Sequence, residues 1–320
     1  MSSEVSPLPS PEEERPSAGR ESYPELLGRL SRLSVTKHYD AYGDVPWEEP
    51  THRIDPDHRV WELDTHHPLG GTAWYAAQRP AIRTRIGLHL VVCAMGTGVH
   101  FENVLTRGLL EFAMTLPHEA PEFRYAYHEI IEESQHTLMF REFVKQSALD
   151  PGDPGMLVRM GGRRVVRLAR RFPELFFLFV LGGEDPIDYV QRTLIRSERE
   201  LHPLLRRIMQ IHITEEARHL CFARAYLRVH VPRLGWMRRQ ILSLAAPLLL
   251  GSMARRMLEP PPILAKTYRI PRAVLDEAYR CNPLHRASVC ESLVKVRALW
   301  GELDLLSATS QPLWRAVGLT

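Results

Sequence analysis

His212, Glu216 and His219 stand four and three residues apart in the stretch IHITEEARHL. If that stretch is helical, all three project from one face over two turns. Two imidazoles and a carboxylate on one stripe form a ready set of metal ligands. A second pair, Glu133 and His136 in IIEESQHTLMF, repeats the Glu-x-x-His spacing. One such pair is weak evidence, because solvated surface pairs on helices are common. Two of them, both flanked by apolar residues, are much harder to attribute to chance.

Carboxylate and imidazole donors without thiolates suit iron or manganese, and disfavour structural zinc and iron–sulfur clusters. Two Glu-x-x-His helices, with one more Glu from each of two others, are the ligand plan of ferritin-like di-iron and di-manganese proteins. Two further glutamates are therefore required. Glu102 lies in the middle of LHLVVCAMGTGVHFENVLTRGLLEFAMTL, a helical pattern apolar nearly all round and hence expected to be buried. A buried carboxylate needs a partner, either a cation or an arginine. Glu184 closes the apolar run LFFLFVLGGE. Glu198 and Glu200 compete with it, but they sit among Arg196, Ser197 and Arg199, which reads as an exposed end. Glu129 and Glu132 compete with Glu133, which is preferred because its spacing to His136 matches that of Glu216 and His219. Asp188, one turn beyond Glu184, is placed behind the ligands as an acceptor for a ligating imidazole.

The elements that must position these residues are all helical, with no convincing strand pattern and no internal repeat. A chain of 320 residues, 44% hydrophobic, can bury one large core. Residues 1–20, rich in Pro, Ser and Glu, read as a disordered tail, and 21–310 as a single domain. Leucines at helical spacing follow from Leu26 to Leu33, and then an extended, aromatic arm that wraps the core. A short helix breaks at Pro80, long helices carry the ligands, Pro186 kinks the third, and Pro247 interrupts a later one. The net charge of +3 lacks the concentrated patch that nucleic acid needs. The basic run Arg159–Arg171 reads as a solvated face, or more sharply as a docking surface for an acidic partner such as a carrier protein. Four scattered cysteines, the absence of an apolar signal core in residues 1–20, and apolar runs too short to span a bilayer place the chain in the cytoplasm, off membranes.

The pattern Glu102, Glu133-x-x-His136, Glu184, His212-x-x-x-Glu216-x-x-His219 resembles the p-aminobenzoate N-oxygenase family. The arm RLSRLSVTKHYDAYGDVPWE and the segment PLGGTAWYAAQRP are similar to that family's N-terminal signature. The resemblance runs from about residue 29 to at least Tyr226. It implies an all-α, ferritin-like four-helix-bundle core with flanking helices. It also implies seven ligands, of which the pattern alone supports six; the metal role of His212 comes from the family. The implied cofactors are two iron ions, with manganese as the alternative, dioxygen as co-substrate, and an external electron donor such as a reductase or ferredoxin. The implied reaction oxidises an amine, an aryl amine first, to hydroxylamine, nitroso or nitro product in secondary metabolism such as antibiotic biosynthesis, within a homodimer. Ala94 and Gly98, on the Glu102 face, and the adjoining Phe101 are assigned to a substrate pocket wider than a small benzoate needs. Arg297 is assigned to a substrate carboxylate. The competing readings are a di-iron oxygenase acting on carbon, a non-catalytic metal-holding scaffold, and a radical-generating subunit using Tyr125 or Tyr127.

Overall fold

The computed structural model describes residues 21–319, so the expected tail of residues 1–20 lies outside the described residues. Among the described residues there is no strand. The elements are α1 (Tyr23–Thr36), α2 (Ala73–Ala76), α3 (Pro80–Ala113), α4 (Pro121–Ser147), α5 (Met156–Arg171), α6 (Pro173–Arg196) and α7 (Pro203–His230). Then follow α8 (Trp236–Leu258), α9 (Pro262–Tyr268), α10 (Arg272–Leu275), α11 (Pro283–Ser292), α12 (Val294–Glu302) and α13 (Gln311–Ala316). The fold is all-α and ferritin-like in plan, as the sequence pattern requires.

The long helices α3, α4, α6 and α7 each open on a proline. Proline suits that first position, where its fixed φ is pre-set and its missing N–H would have no helical partner. The long α3 therefore begins at Pro80, a turn or two before the apolar run suggested. α4 ends at Ala148 in the left-handed region, φ 54°.

The directions of the helices follow from two apolar clusters. Along α3, Leu88, Val92 and Met95 belong to one cluster, and Leu105, Leu109 and Phe112 to the other. α4 meets them in reverse, Tyr125 and Ala126 before Met139, Phe140 and Phe143. α7 again goes forward, from Leu204 and Ile208 to Phe222 and Tyr226. α6 runs with α4, from Phe176 and Phe177 towards Leu194 and Ile195, which pack at the edge of the first cluster. So α3 lies antiparallel to α4, and α6 antiparallel to α7, with each pair packed along its length. Every proposed ligand falls between the two clusters. The bundle is two greasy ends clamped on a polar middle.

The interruption expected at Pro247 does not occur. α6 runs through Pro186 and α8 through Pro247 without interruption. An internal proline removes one hydrogen bond and presses on the carbonyl four residues back; here the residues at those positions are Gly182 and Ser243. Surrounding packing then outweighs the local penalty: Gly182 and Gly183 are buried, and Pro186 and Pro247 are buried with them.

The arm between α1 and α3 is ordered, as its aromatic content suggested. Trp47, Val60 and Trp61 join the first apolar cluster. The Trp47 and Trp61 indole N–H groups donate to the carbonyls of Ala41 (2.7 Å) and Asp55 (2.9 Å). The arm crosses α3 so closely at Gly87 that a Cβ there would sit 1.7 Å from the Trp61 carbonyl oxygen. Arg199 pins the same strap through the carbonyls of Val60 and Glu62 and the Asp64 carboxylate. α3 and the stretch 236–268 are each long and apolar enough to cross a membrane, by length and composition alone; half of the α3 window is buried inside the fold.

Candidate metal centre

Glu102 comes from α3, Glu133 and His136 from α4, Glu184 from α6, and His212, Glu216 and His219 from α7. All seven are at most 2% exposed. Glu198, the rival for the third-helix role, is exposed beyond the end of α6. The helical spacing read from sequence thus brings together the seven residues it selected. Their ligand atoms form overlapping groups, each within 4.8 Å: Glu102 with His136 and His212, Glu133 with His136 and Glu216, and Glu184 with His212 and Glu216. A further group joins Glu129 to Glu133 and His219.

Each imidazole is held by its outer nitrogen. His136 Nε2 is 2.9 Å from Glu215 Oε2, leaving Nδ1 facing Glu133 (3.1 Å) and Glu216 (3.4 Å). His219 Nε2 is 2.7 Å from Glu132 Oε2, leaving Nδ1 facing Glu133 (3.0 Å) and Glu216 (3.1 Å). His212 Nδ1 meets Gln191 Oε1 at 2.9 Å, so its Nε2 is left to face Glu102 (3.6 Å) and Glu216 (3.8 Å). A donor hydrogen bond at one ring nitrogen fixes the tautomer and aims the other nitrogen's lone pair at a metal.

The outer carboxylates are crossed between the two motif helices. Glu132 of α4 supports His219 of α7, and Glu215 of α7 supports His136 of α4. Arg218 lies between them, its Nη2 2.8 Å from Glu132 and 3.6 Å from Glu215. Burial pushes the Glu132 carboxyl up, but His219 and Arg218 outweigh it and bring it down to about 2. Glu132, Glu215 and Arg218 escaped the sequence reading as supports, although a signal was there. Both motifs are Glu-Glu-x-x-His, and the second holds an arginine just before its histidine.

The inner carboxylates are buried and crowded together. Burial, then Glu133 and neighbouring acids, hold Glu102 well above the usual range, and burial with Glu216 and Glu133 does the same to Glu184. Buried oxygens of Glu102, Glu133 and Glu216 find no hydrogen-bond donor among the described residues. Carboxylates that raise one another, orphaned oxygens and aimed imidazole nitrogens fit divalent cations of the iron or manganese type. Glu102, Glu184, Glu133, Glu216 and the three histidines would hold them.

A pH dependence follows. Burial disfavours charge on His136, yet Glu133 and Glu215 raise it to about 10. Burial likewise opposes charge on His219, but Glu216 and Glu133 hold it well above the usual value. Below those values both rings carry the proton that a metal must replace. Loading divalent metal at pH 7 is expected to release at least these two protons, and affinity to climb as pH rises towards 10. Calorimetry of Mn²⁺ binding in buffers of different ionisation heat measures this; loading with no proton release would contradict it.

Comparison with known proteins agrees with this geometry. Residues 20–304 match the family described as p-aminobenzoate N-oxygenase AurF. The chain belongs to that family. An uncharacterized protein of Mycobacterium bovis is 37% identical over 294 residues, covering 92% of this chain and 86% of the relative. An uncharacterized protein of Mycobacterium tuberculosis strain H37Rv matches at the same identity and coverage. The AurF family is a di-iron one, which points to an oxygenase, and the Glu and His clusters described above are groups that could bind the metal.

Other assigned residues take different places in this AurF-family chain. Asp188 accepts from Arg192 Nε at 2.6 Å and faces Lys295 Nζ at 3.5 Å, so it is answered by cations and not by an imidazole. Gln191 stands behind a histidine instead. Gly98 does not leave open space: a Cβ there would lie 2.8 Å from the Phe140 ring, which also lies tilted against the His212 ring with centroids 5.2 Å apart. Ala94 is exposed. Phe101 packs onto Phe179 (5.1 Å) and fills the notch at Gly183, where a Cβ would come within 2.2 Å of its ring. Arg297 lies over the Trp314 ring, 5.8 Å from its centroid, tying α12 to α13.

Proposed function

We propose that this protein is an O₂-dependent di-iron N-oxygenase that converts an amine, an aryl amine first, to its hydroxylamine, nitroso or nitro product. The observation that carries the reading is His212. It is a third imidazole, turned by Gln191 so that Nε2 faces Glu102 and Glu216, in a chain of this family. The iron pair, supplied with electrons by a separate donor protein, would provide dioxygen reduction and oxygen-atom transfer. The chain's own part is ligation and exclusion of water. Phe101 and Phe140, packed against small residues, wall the polar layer from solvent. Crossed carboxylates keep the imidazoles from turning.

The test is to load the protein anaerobically with Fe²⁺, reduce it, admit ¹⁸O₂ and present a panel of aryl amines, reading products by mass spectrometry. Label on nitrogen supports the reading. Label on carbon alone would assign the chain to carbon hydroxylation, and metal uptake without any product would leave a metal-holding scaffold.

The five arginines of α5 from Arg163 to Arg171 are all exposed. We assign them to an acidic partner and not to chemistry. Reversing Arg163, Arg167 and Arg170 to glutamate should change turnover of a free amine by less than about tenfold, the spread usual for surface charge changes on association. Loss of activity on a free substrate would give this helix a role in the site.

A further inference from the structure

We propose that Glu129 is an additional metal ligand, completing the subsite around His219; the inference rests on the two-metal reading above. Glu129 sits on α4 one turn before Glu133, so it shares the face that bears Glu133 and His136. It is 0% exposed, and neither carboxylate oxygen has a hydrogen-bond partner among the described residues. A carboxylate buried without a donor or counter-charge is strongly disfavoured unless something positive occupies its surroundings. Arg218 is spent on Glu132 and Glu215, and His219, whose charge acts on Glu129, donates its hydrogen bonds to Glu132 and Glu216 and none to Glu129. Tyr125, a turn earlier on α4, does not answer Glu129 either, since its own hydroxyl is buried and unpaired.

The ligand atoms themselves point the same way. Those of Glu129, Glu133 and His219 lie within 4.8 Å of one another. At the other end of the polar layer, Glu102, His136 and His212 gather in the same manner. Glu133 and Glu216 face imidazoles of both ends. One end thus has Glu102 and two imidazoles as its own donors, and Glu184 stands with His212 and Glu216. The other has His219, and Glu129 is the buried carboxylate that redresses the count. The two subsites then differ in kind, with two imidazoles at one end and one at the other. That difference favours the harder metal ion, such as Mn²⁺, at the His219 end.

The test uses full-length wild type and Glu129→Gln, which keeps shape and removes charge. Metal-free protein is titrated with Co²⁺ and with Mn²⁺ under argon, and uptake is read by equilibrium dialysis, the cobalt ligand-field spectrum and the melting temperature. Wild type is expected to take up two ions. Glu129→Gln is expected to keep one ion and bind the other at least about tenfold more weakly, the lower end of what loss of even an indirect support costs. Its metal-free form should melt at least as high as wild type, and gain less on adding metal. Wild type binding fewer than two ions would refute the two-metal reading itself. Two ions bound to both proteins with equal affinity and the same cobalt spectrum would refute the role of Glu129 alone. If Glu129→Gln does not fold, Glu129→Asp decides by the same readouts. A weakened second ion with an altered cobalt spectrum upholds the proposal, and unchanged affinity and spectrum overturn it.

Discussion

Replacing Glu216 with alanine is expected to remove at least one of the two metal ions and to reduce turnover to background. Its Oε1 stands 3.1 Å from His219, 3.4 Å from His136 and 3.8 Å from His212. No other carboxylate oxygen is recorded within salt-bridge distance of all three imidazoles among the described residues. An oxygen in that position would be within reach of both metal subsites, so its loss would not be confined to one. Alanine also leaves His136 and His219 without part of the negative field that opposes their burial. Elemental analysis of the folded, iron-reconstituted variant gives the answer: two ions per chain would remove Glu216 from the centre.

Replacing Arg218 with methionine is expected to cost about 3–5 kcal/mol of stability, as breaking a buried ion pair by removing one partner does. Arg218 is 4% exposed and faces two buried carboxylates, Glu132 and Glu215. It also donates to the Lys37 carbonyl at 3.3 Å, just past the end of α1. Methionine fills much of the volume but leaves both acids without their guanidinium, with only the imidazoles of His219 and His136 to answer them. Urea denaturation of metal-free protein measures the loss, and a change under 1 kcal/mol would show that the histidines alone satisfy the acids. Metal affinity should fall with it by about 10–100-fold, because the supports of His136 and His219 are both loosened.

The grouping of these seven residues was legible chiefly from helical periodicity. Once His212, Glu216 and His219 share a face, and Glu133 and His136 do, little freedom remains. Apolar context separated Glu102 and Glu184 from their rivals, since a glutamate inside a greasy run must face something specific. What sequence could not supply was rotation of one helix against another. Gln191 lies 21 residues from His212 in the chain, and only the packing of α6 on α7 brings them together. Asp188 shares a helix with Glu184, yet Lys295 of α12 reaches its far oxygen. Gly98 shows the same limit. A missing side chain marks either a hollow or a close approach, and here Phe140 makes it the second. Pro247 misled for a related reason, since the local rule was overridden by burial.

The crossing of outer carboxylates has a consequence for how the centre fills. Glu132 and Glu215 each belong to the opposite helix from the imidazole they steady, and Arg218 touches both. A cation arriving at one histidine therefore polarises a support whose charge is shared, through the guanidinium, with the other. Linkage requires the effect to be equal in both directions. The two metal subsites would thus be a single ledge with two footholds, and filling either would set the grip of the next.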